Sequence, residues 1–354
     1  MKIILDDTFT KQQLYPFTAV RNAADIRIGI LTIREKWEKI LGYAISTNDA
    51  EINSPKAFFD ENDAPAFISS DIVPTKKWLD KMLINGADEN MLKDENEVRV
   101  LKHAIDIVKN NDWALRKDFE LITTGRKSQP ISDTNKVTAA HNIFIEEGAK
   151  VEHSFLNASA GPIYIGKNAE VMEGCMIRGS FALCEGSILK MGSKVYGATT
   201  IGPNCVAAGE IKNSVMFANS NKAHDGYLGD SVLGEWCNLG AGTTNSNVKN
   251  TAGHVKMWDN MTNDFIDVGF KAGLLMGDYS RAAINTSFNT GTVVGICCNI
   301  FEGGFPPKKV ADFTWGDSRY ELEKALEHID NWKKLKGQHL TDKEKEILLT
   351  LYNK

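Results

Sequence analysis

From Ile165 the sequence reads IGKNAE, VMEGCM, IRGSFA, LCEGSI, LKMGSK, VYGATT, IGPNCV. The first place of each hexad is Ile165, Val171, Ile177, Leu183, Leu189, Val195 and Ile201, aliphatic throughout. If about a fifth of residues are Ile, Leu or Val, chance gives such agreement in on the order of 10⁻⁵ of frames. The fifth place is Ala169, Cys175, Phe181, Ser187, Ser193, Thr199 and Cys205, small in all but one. A helix repeats at 3.6 residues and an ordinary strand at two, so neither accounts for a period of six. The pattern predicts a mainly β fold, a parallel β-helix. Each hexad supplies one short strand and one corner, and three hexads close a triangular coil. First-place side chains fill the interior, and fifth-place residues lie near a corner, where a small side chain fits. Successive coils pair at about 4.8 Å, so each edge of the prism is a parallel sheet.

The repeat then changes frame. Tyr227, Leu233 and Leu239 take the first place of a second run, with Ser231, Cys237 and Thr243 at the fifth. Met276, Ala282, Phe288 and Val294 open a third, with Ser280, Thr286, Thr292 and Cys298 at the fifth. Changes of frame call for inserted residues, and loops are expected at about 207–226 and 245–270, outside the prism, where insertions often carry function. The register also accounts for the cysteines. Cys175, Cys205, Cys237 and Cys298 fall on the inward small place and read as core fillers, not as disulfides or zinc ligands. Cys297 and Cys298 are adjacent and face opposite sides of a strand.

At 354 residues the chain has room for more than one packed unit. Residues 1–105 read as a small α/β segment: KIIL as a strand, ADIRIGILTIREKWEKIL as strand-like passing into an amphipathic helix, and PTKKWLDKM and DENEVRVLKHAIDIVKNN as further helices. Residues 106–139, polar and turn-rich, read as a connector into the β-helix of 140–312. A C-terminal helical tail of 313–354 follows, with a capping-box pattern at Thr341 and Glu344. Such a tail is expected to cap the open end of the prism, which would otherwise expose a sheet edge. The formal net charge of −5 argues against a nucleic-acid-binding surface. MKIILDDTF holds too short an apolar run for a signal peptide, and no stretch approaches a membrane span. A cytoplasmic protein without nucleic-acid or membrane partners is the expectation.

The stretch EIKNSVMFANSNKAHDGYLGDSVLGEWCNLGAGTTNSN contains Lys212, His224, Tyr227, the LGD after it, Asn238 and Asn247. In that spacing it resembles the acetyltransferase half of the bifunctional family that acetylates glucosamine-1-phosphate and then uridylylates it. The resemblance covers roughly residues 140 to 310. It implies a left-handed parallel β-helix of the hexapeptide-repeat superfamily, a homotrimer with active sites at subunit boundaries, an amino-sugar phosphate as substrate and acetyl-CoA as co-substrate. His224 matches the family's base. Acyl transfer from a thioester to a sugar amine requires the neutral amine to lose a proton as the C–N bond forms, and an imidazole with its ordinary pKa of about 6.5 can take that proton. Lys212 matches a lysine that contacts the sugar phosphate. Lys190, in LKMG, aligns with a position that is usually arginine, so a point charge replaces a bidentate fork. Tyr227 and Asn238 match sugar-contacting positions, and Asn247 a residue beside the transferred acetyl group. Ala241 and Lys249 match coenzyme A contacts. Taken singly, these residues also have plain readings: a surface histidine, solvated lysines, a packed tyrosine, corner asparagines.

The front segment departs from the same family. A uridylyltransferase domain follows its first strand with a glycine-rich loop that wraps nucleotide phosphates. Here the first strand leads into DDTFTKQQLYPFTAVRNAADIRIG, with no glycine before Gly29. FTAVRNAADIRIGILTIREKWEKIL is similar to a divergent version of the segment after that loop, with Arg21-Asn22 where short-headed members carry an arginine-proline pair. The implication is an eroded nucleotidyltransferase head, needing Mg²⁺ only if it is active. The alternatives to acyl transfer are therefore sugar-1-phosphate nucleotidyl transfer by the head, and a non-catalytic trimeric scaffold. No metal site is expected, because His141, His153, His224 and His254 form no close ligand pair.

Overall fold

The computed structural model describes residues 3–48, 66–85, 89–301 and 303–354. Its spine is a parallel β-helix. Among the described residues one face stacks nine strands and a second ten, while the third stacks six with a further pair above them. The hexad reading holds in the interior: Ile165, Val171, Ile177, Leu183, Leu189, Val195 and Ile201 are all buried, as are the fifth-place residues from Ala169 to Cys205. All six cysteines are free and buried. Cys298 packs inside the prism and Cys297 outside it, against the tail.

The structure corrects the first expected loop. Residues 207–226 form regular coil, and the inward column runs Ile201, Ala207, Ile211, Met216, Lys222, Leu228, Leu233, Leu239. The frame changes because hexads are shortened at the corners, through left-handed residues at Gly209, Asn213 and Asp230. Two departures from the expected pattern follow. Leu228, and not Tyr227, points inward, and a lysine, Lys222, occupies an interior place. The second insertion is real. Residues 246–273 leave the coil and include an antiparallel hairpin of Lys256–Asp259 and Asp264–Asp267.

The head contains a parallel sheet of Ser46–Asn48, Ile3–Asp6 and Ala66–Ser69, with Ile3–Asp6 central. Among its described residues the head carries the helices α1 (Thr10–Gln13), α2 (Ile33–Leu41), α3 (Lys76–Asn85) and α4 (Asp106–Thr123). The stretch expected to begin strand-like instead makes a 3-10 turn at Ala23–Asp25 and a tight bend at Gly29. The expected connector is mostly α4, whose buried Ile107, Val108, Asn111, Ala114, Leu115, Asp118 and Ile122 recur at helical spacing.

α4 welds the head to the nine-stranded face. Asn111 accepts the Gly29 N–H through Oδ1 at 2.7 Å and donates from Nδ2 to the Ala198 carbonyl at 2.9 Å. Asp118 accepts the Ile30 and Leu31 N–H groups and pairs with the buried Lys36 ammonium at 2.6 Å. Arg21 reaches the coil corner, with Asp278 at 2.6 Å and Glu235 at 3.5 Å, so the Arg21-Asn22 position serves as a clasp between units. The inserted hairpin braces the same side through His103 and Asp259.

The tail forms α5 (Leu322–Lys334) and α6 (Asp342–Tyr352), and α6 carries the expected capping box at Thr341 and Glu344. Its first residues continue the ten-stranded face at the last coil, as Thr314–Trp315 and Ser318–Arg319, while its helices lie to the side of the prism. They pack along the corner column Trp236, Tyr279, Cys297 and Phe313, and Lys336 just beyond α5 donates to the Asn204 carbonyl and Asn221. Large aromatic and aliphatic side chains at that corner supply the apolar surface that draws the helices there. With the head on one face and the tail beside another, the third face is left open. There Phe155 and Met176 are 55% and 46% exposed and line a cleft of about 700 Å³ together with Tyr196.

Candidate active site

The open face carries the polar cluster. Its strands Lys194–Tyr196, Glu210–Lys212 and Tyr227–Gly229 stack with Tyr196, Lys212 and Gly229 in one row and Lys194, Glu210 and Tyr227 in the next. Because Leu228 fills the core, Tyr227 on its flank faces outward and is half-buried. Gly229 lets the ring lie down: a Cβ there would stand 2.3 Å from the Tyr227 hydroxyl. Tyr196 donates to Glu210 Oε1 at 2.6 Å, and the Lys212 ammonium lies 5.7 Å from the Tyr196 ring centroid.

Asp230 organises the far side. It is buried in a left-handed conformation, and its carboxylate accepts Nδ2 of Asn213 at 2.7 Å and Nδ2 of Asn247. Asn247 in turn contacts Tyr227, and the Asn247 carbonyl accepts the Ala272 N–H at 3.0 Å, which ties the start of the insertion to its end. Inside the prism Asn245 replaces an aliphatic residue. Its amide accepts the Gly229 N–H at 2.9 Å and donates to the Gly229 carbonyl at 3.0 Å, fixing the strand on which Tyr227 lies. Burial, followed by the charges of Asp230, Tyr196 and Glu210, pushes the Tyr227 hydroxyl well above its ordinary value. It is therefore a neutral donor at any physiological pH. The hydrogen bond to Glu210 pushes Tyr196 up to about 12.

His224 lies at the corner between Asn221–Lys222 and Tyr227–Gly229, exposed, with its carbonyl accepting the Lys222 ammonium at 2.5 Å. Ala241 sits at the same corner one coil on, where the Gly242 N–H bonds the Asp225 carbonyl at 3.0 Å. Lys249, in the insertion, lies close enough to Lys308 to help lower its pKa, behind the larger effect of burial.

The chain thus brings Lys212, Tyr227 and Asn247 into one cluster, with His224 and Ala241 at the adjoining corner. It does not bring Asn238 or Lys190 there. Asn238 lies on the ten-stranded face between Asn221 and Arg281, beside the tail. Lys190 follows a strand two coils before the one that ends in Lys222. Asp230, Asn213, Tyr196, Glu210 and Asn245 escaped the sequence reading. Asp230 was visible in LGD, and Asn245 as a polar residue one hexad after Leu239. The others carry no signal until the coils stack.

The head's sheet places Asp7 and Ser70 just beyond its carboxyl edge, where open α/β sheets bind ligands. Here Asp7 accepts the Ala23 N–H at 2.9 Å and the hydroxyls of Thr10 and Ser70, so these groups satisfy one another.

A Gly229→Ala variant is expected to lift the Tyr227 ring off the strand and lower turnover roughly tenfold, since small misplacements near a site are costly. Steady-state kinetics alongside a melting curve would check this; unchanged turnover in a folded variant would place the ring outside the site.

A family model described as sugar nucleotidyl transferase matches residues 2–90, in line with the likeness read in the front segment. The chain is 32% identical over 113 residues to the "Bifunctional protein GlmU" of Methanocaldococcus jannaschii, covering 32% of this chain and 27% of that protein. It is 27% identical over 231 residues to the "Bifunctional sugar-1-phosphate nucleotidylyltransferase/acetyltransferase" of Sulfurisphaera tokodaii, covering 64% and 54%. The matched stretches span from about a quarter to about half the length of these relatives. A solved UDP-N-acetylglucosamine acyltransferase from Francisella novicida aligns with TM-score 0.30 and 11% identity over 63% of this chain and 88% of that one. That likeness is too slight to bear on function.

Proposed function

We propose that this chain, similar over 64% of its length to a bifunctional sugar-1-phosphate nucleotidylyltransferase/acetyltransferase, is an acyl-CoA-dependent N-acyltransferase. Its substrate is an amino-sugar phosphate of the glucosamine-1-phosphate kind, and its donor is acetyl-CoA. The observation that supports this best is the convergence of Lys212, Tyr227 and Asn247 on the open face, beside the His224 corner.

In this reading the neutral sugar amine attacks the thioester carbonyl. The C–N bond forms, the C–S bond breaks, and His224 takes the amine proton, which passes on to the departing thiolate. Lys212 attracts the phosphate, Tyr227 donates to the sugar, and Asn247, held by Asp230, stands beside the acetyl group. Ala241 and Lys249 flank coenzyme A. Asn238 and Lys190 lie away from the cluster within one chain, so their roles require a neighbouring copy. A cytoplasmic homotrimer associating through the open face supplies one.

The test is release of free thiol from acetyl-CoA, with and without glucosamine-1-phosphate. Sugar-dependent release supports the reading; no release with any amino-sugar phosphate sinks it in favour of a scaffold. The family-model match favours a second reading, nucleotidyl transfer by the head. Pyrophosphate-dependent nucleotide exchange in the presence of Mg²⁺ would support that reading. The mutual engagement of Asp7, Thr10 and Ser70 argues against it.

A further inference from the structure

One side of the prism interior is a column of Val151, Val171, Leu189, Ala207, Lys222, Leu239, Ala282 and Ile300, joined in register from coil to coil. Seven of the eight are aliphatic. The eighth is an ammonium-bearing side chain only 1% exposed, and among the described residues it has no ion-pair partner. Burying an unpaired cation in an apolar column is unfavourable, and a leucine would serve the core better. Ala207 in the coil before leaves room for the long stem. The tip returns toward the corner and donates to the carbonyl of His224, two residues on. Asp225, at the same corner, is the charged group that bears on it, while the flanking strands present Ala207 and Leu239 in register. Burial pushes this ammonium down to about 8.

We infer that Lys222 is a positioning residue: from inside the coil it pins the backbone of the corner that carries His224, so the exposed imidazole is presented from a fixed main chain. The inference deepens the acyltransferase reading and rests on it for its kinetic consequence. The rest of the corner is held by neighbouring coils, the Gly226 carbonyl by the Glu210 N–H at 3.1 Å, the Asp225 carbonyl by the Gly242 N–H at 3.0 Å and the Tyr227 N–H by Thr244, while the His224 carbonyl is held by the Lys222 ammonium. An internal cation is a means of restraint that leaves the outer surface clear for substrate.

The experiment compares Lys222→Met and Lys222→Gln with the full chain. Methionine keeps the buried stem and removes charge and donor; glutamine keeps a donor without charge. For Lys222→Met we expect kcat to fall roughly ten- to a hundredfold, with KM for glucosamine-1-phosphate unchanged and the melting temperature equal or higher. Lys222→Gln should recover part of kcat. Amide exchange across residues 221–229 should be faster in Lys222→Met, a readout that needs no activity.

The unfolded chain keeps this lysine protonated to its ordinary value, whereas the folded chain releases the proton above about 8. Wild-type stability relative to Lys222→Met should therefore rise as pH climbs through that window. Unchanged exchange at the corner overturns the inference, as does a kcat loss that merely tracks lost melting temperature in both variants. Wild-type kcat in Lys222→Met beside an inactive His224→Ala overturns the positioning role and leaves the acyltransferase reading standing. Absence of thiol release by the wild type sinks that reading instead, and the exchange result then decides the structural claim alone.

Discussion

Replacing Asp118 by alanine should destabilise the protein by about 3–5 kcal/mol, the range for breaking a buried ion pair from one side. The carboxylate is 2% exposed and holds three groups at once: the Ile30 N–H at 2.7 Å, the Leu31 N–H at 3.0 Å and the Lys36 ammonium at 2.6 Å. Burial raises the Asp118 carboxyl and lowers the Lys36 ammonium, while their contact works the other way on both. At 2.6 Å, with two further N–H donors on the carboxylate, the ionised pair is the arrangement consistent with the geometry. Alanine leaves a cation buried beside the Ile28 and Leu31 carbonyls and two amide groups without acceptors. Removing both charges, as Lys36→Met with Asp118→Leu, should cost less than Asp118→Ala alone, because no orphaned charge remains. Urea titration of the two variants checks both statements. A loss under about 1 kcal/mol for Asp118→Ala would show that the head does not depend on this knot.

His224→Ala should lower turnover by roughly 10²–10⁴-fold, the usual contribution of a positioned general base. Its melting temperature should match the wild type, since the side chain is exposed and, among the described residues, makes no hydrogen bond. That pairing of large kinetic and negligible thermal effect separates catalysis from packing. Thiol release at the wild-type rate would remove His224 from the mechanism, and the cluster around Tyr227 would then need another base.

The two variants probe parts of the molecule that were unequally visible in the amino-acid order. His224 stands out as a candidate because its spacing to Lys212, Tyr227 and Asn247 matches a known pattern. Asp118 was hidden: it lay in a stretch that read as polar connector, and its partners Ile30 and Leu31 are almost ninety residues away. Tyr227 shows how narrow the margin is. Counting hexads back from Leu233 placed it inward, yet the shortened corner at Asp230 moved Leu228 into the core and turned the tyrosine to the open face. A slip of one residue exchanges the two sides of a strand, so the frame had to be right to the residue. Asp230, Asn213 and Asn245 belong to the same lesson, since each is an ordinary polar residue until the neighbouring coil supplies its partner.

Sequence alone determined the prism and most of the apolar residues that fill it, because nearly every coil imposes the same demand for bulk and apolarity at the same local interval. Tertiary structure alone decided which face stays open, how the head is fastened, and why a lysine lies in the core. Those outcomes arise from contacts between distant segments, and a polar side chain carries no mark of its partner until folding removes both from water.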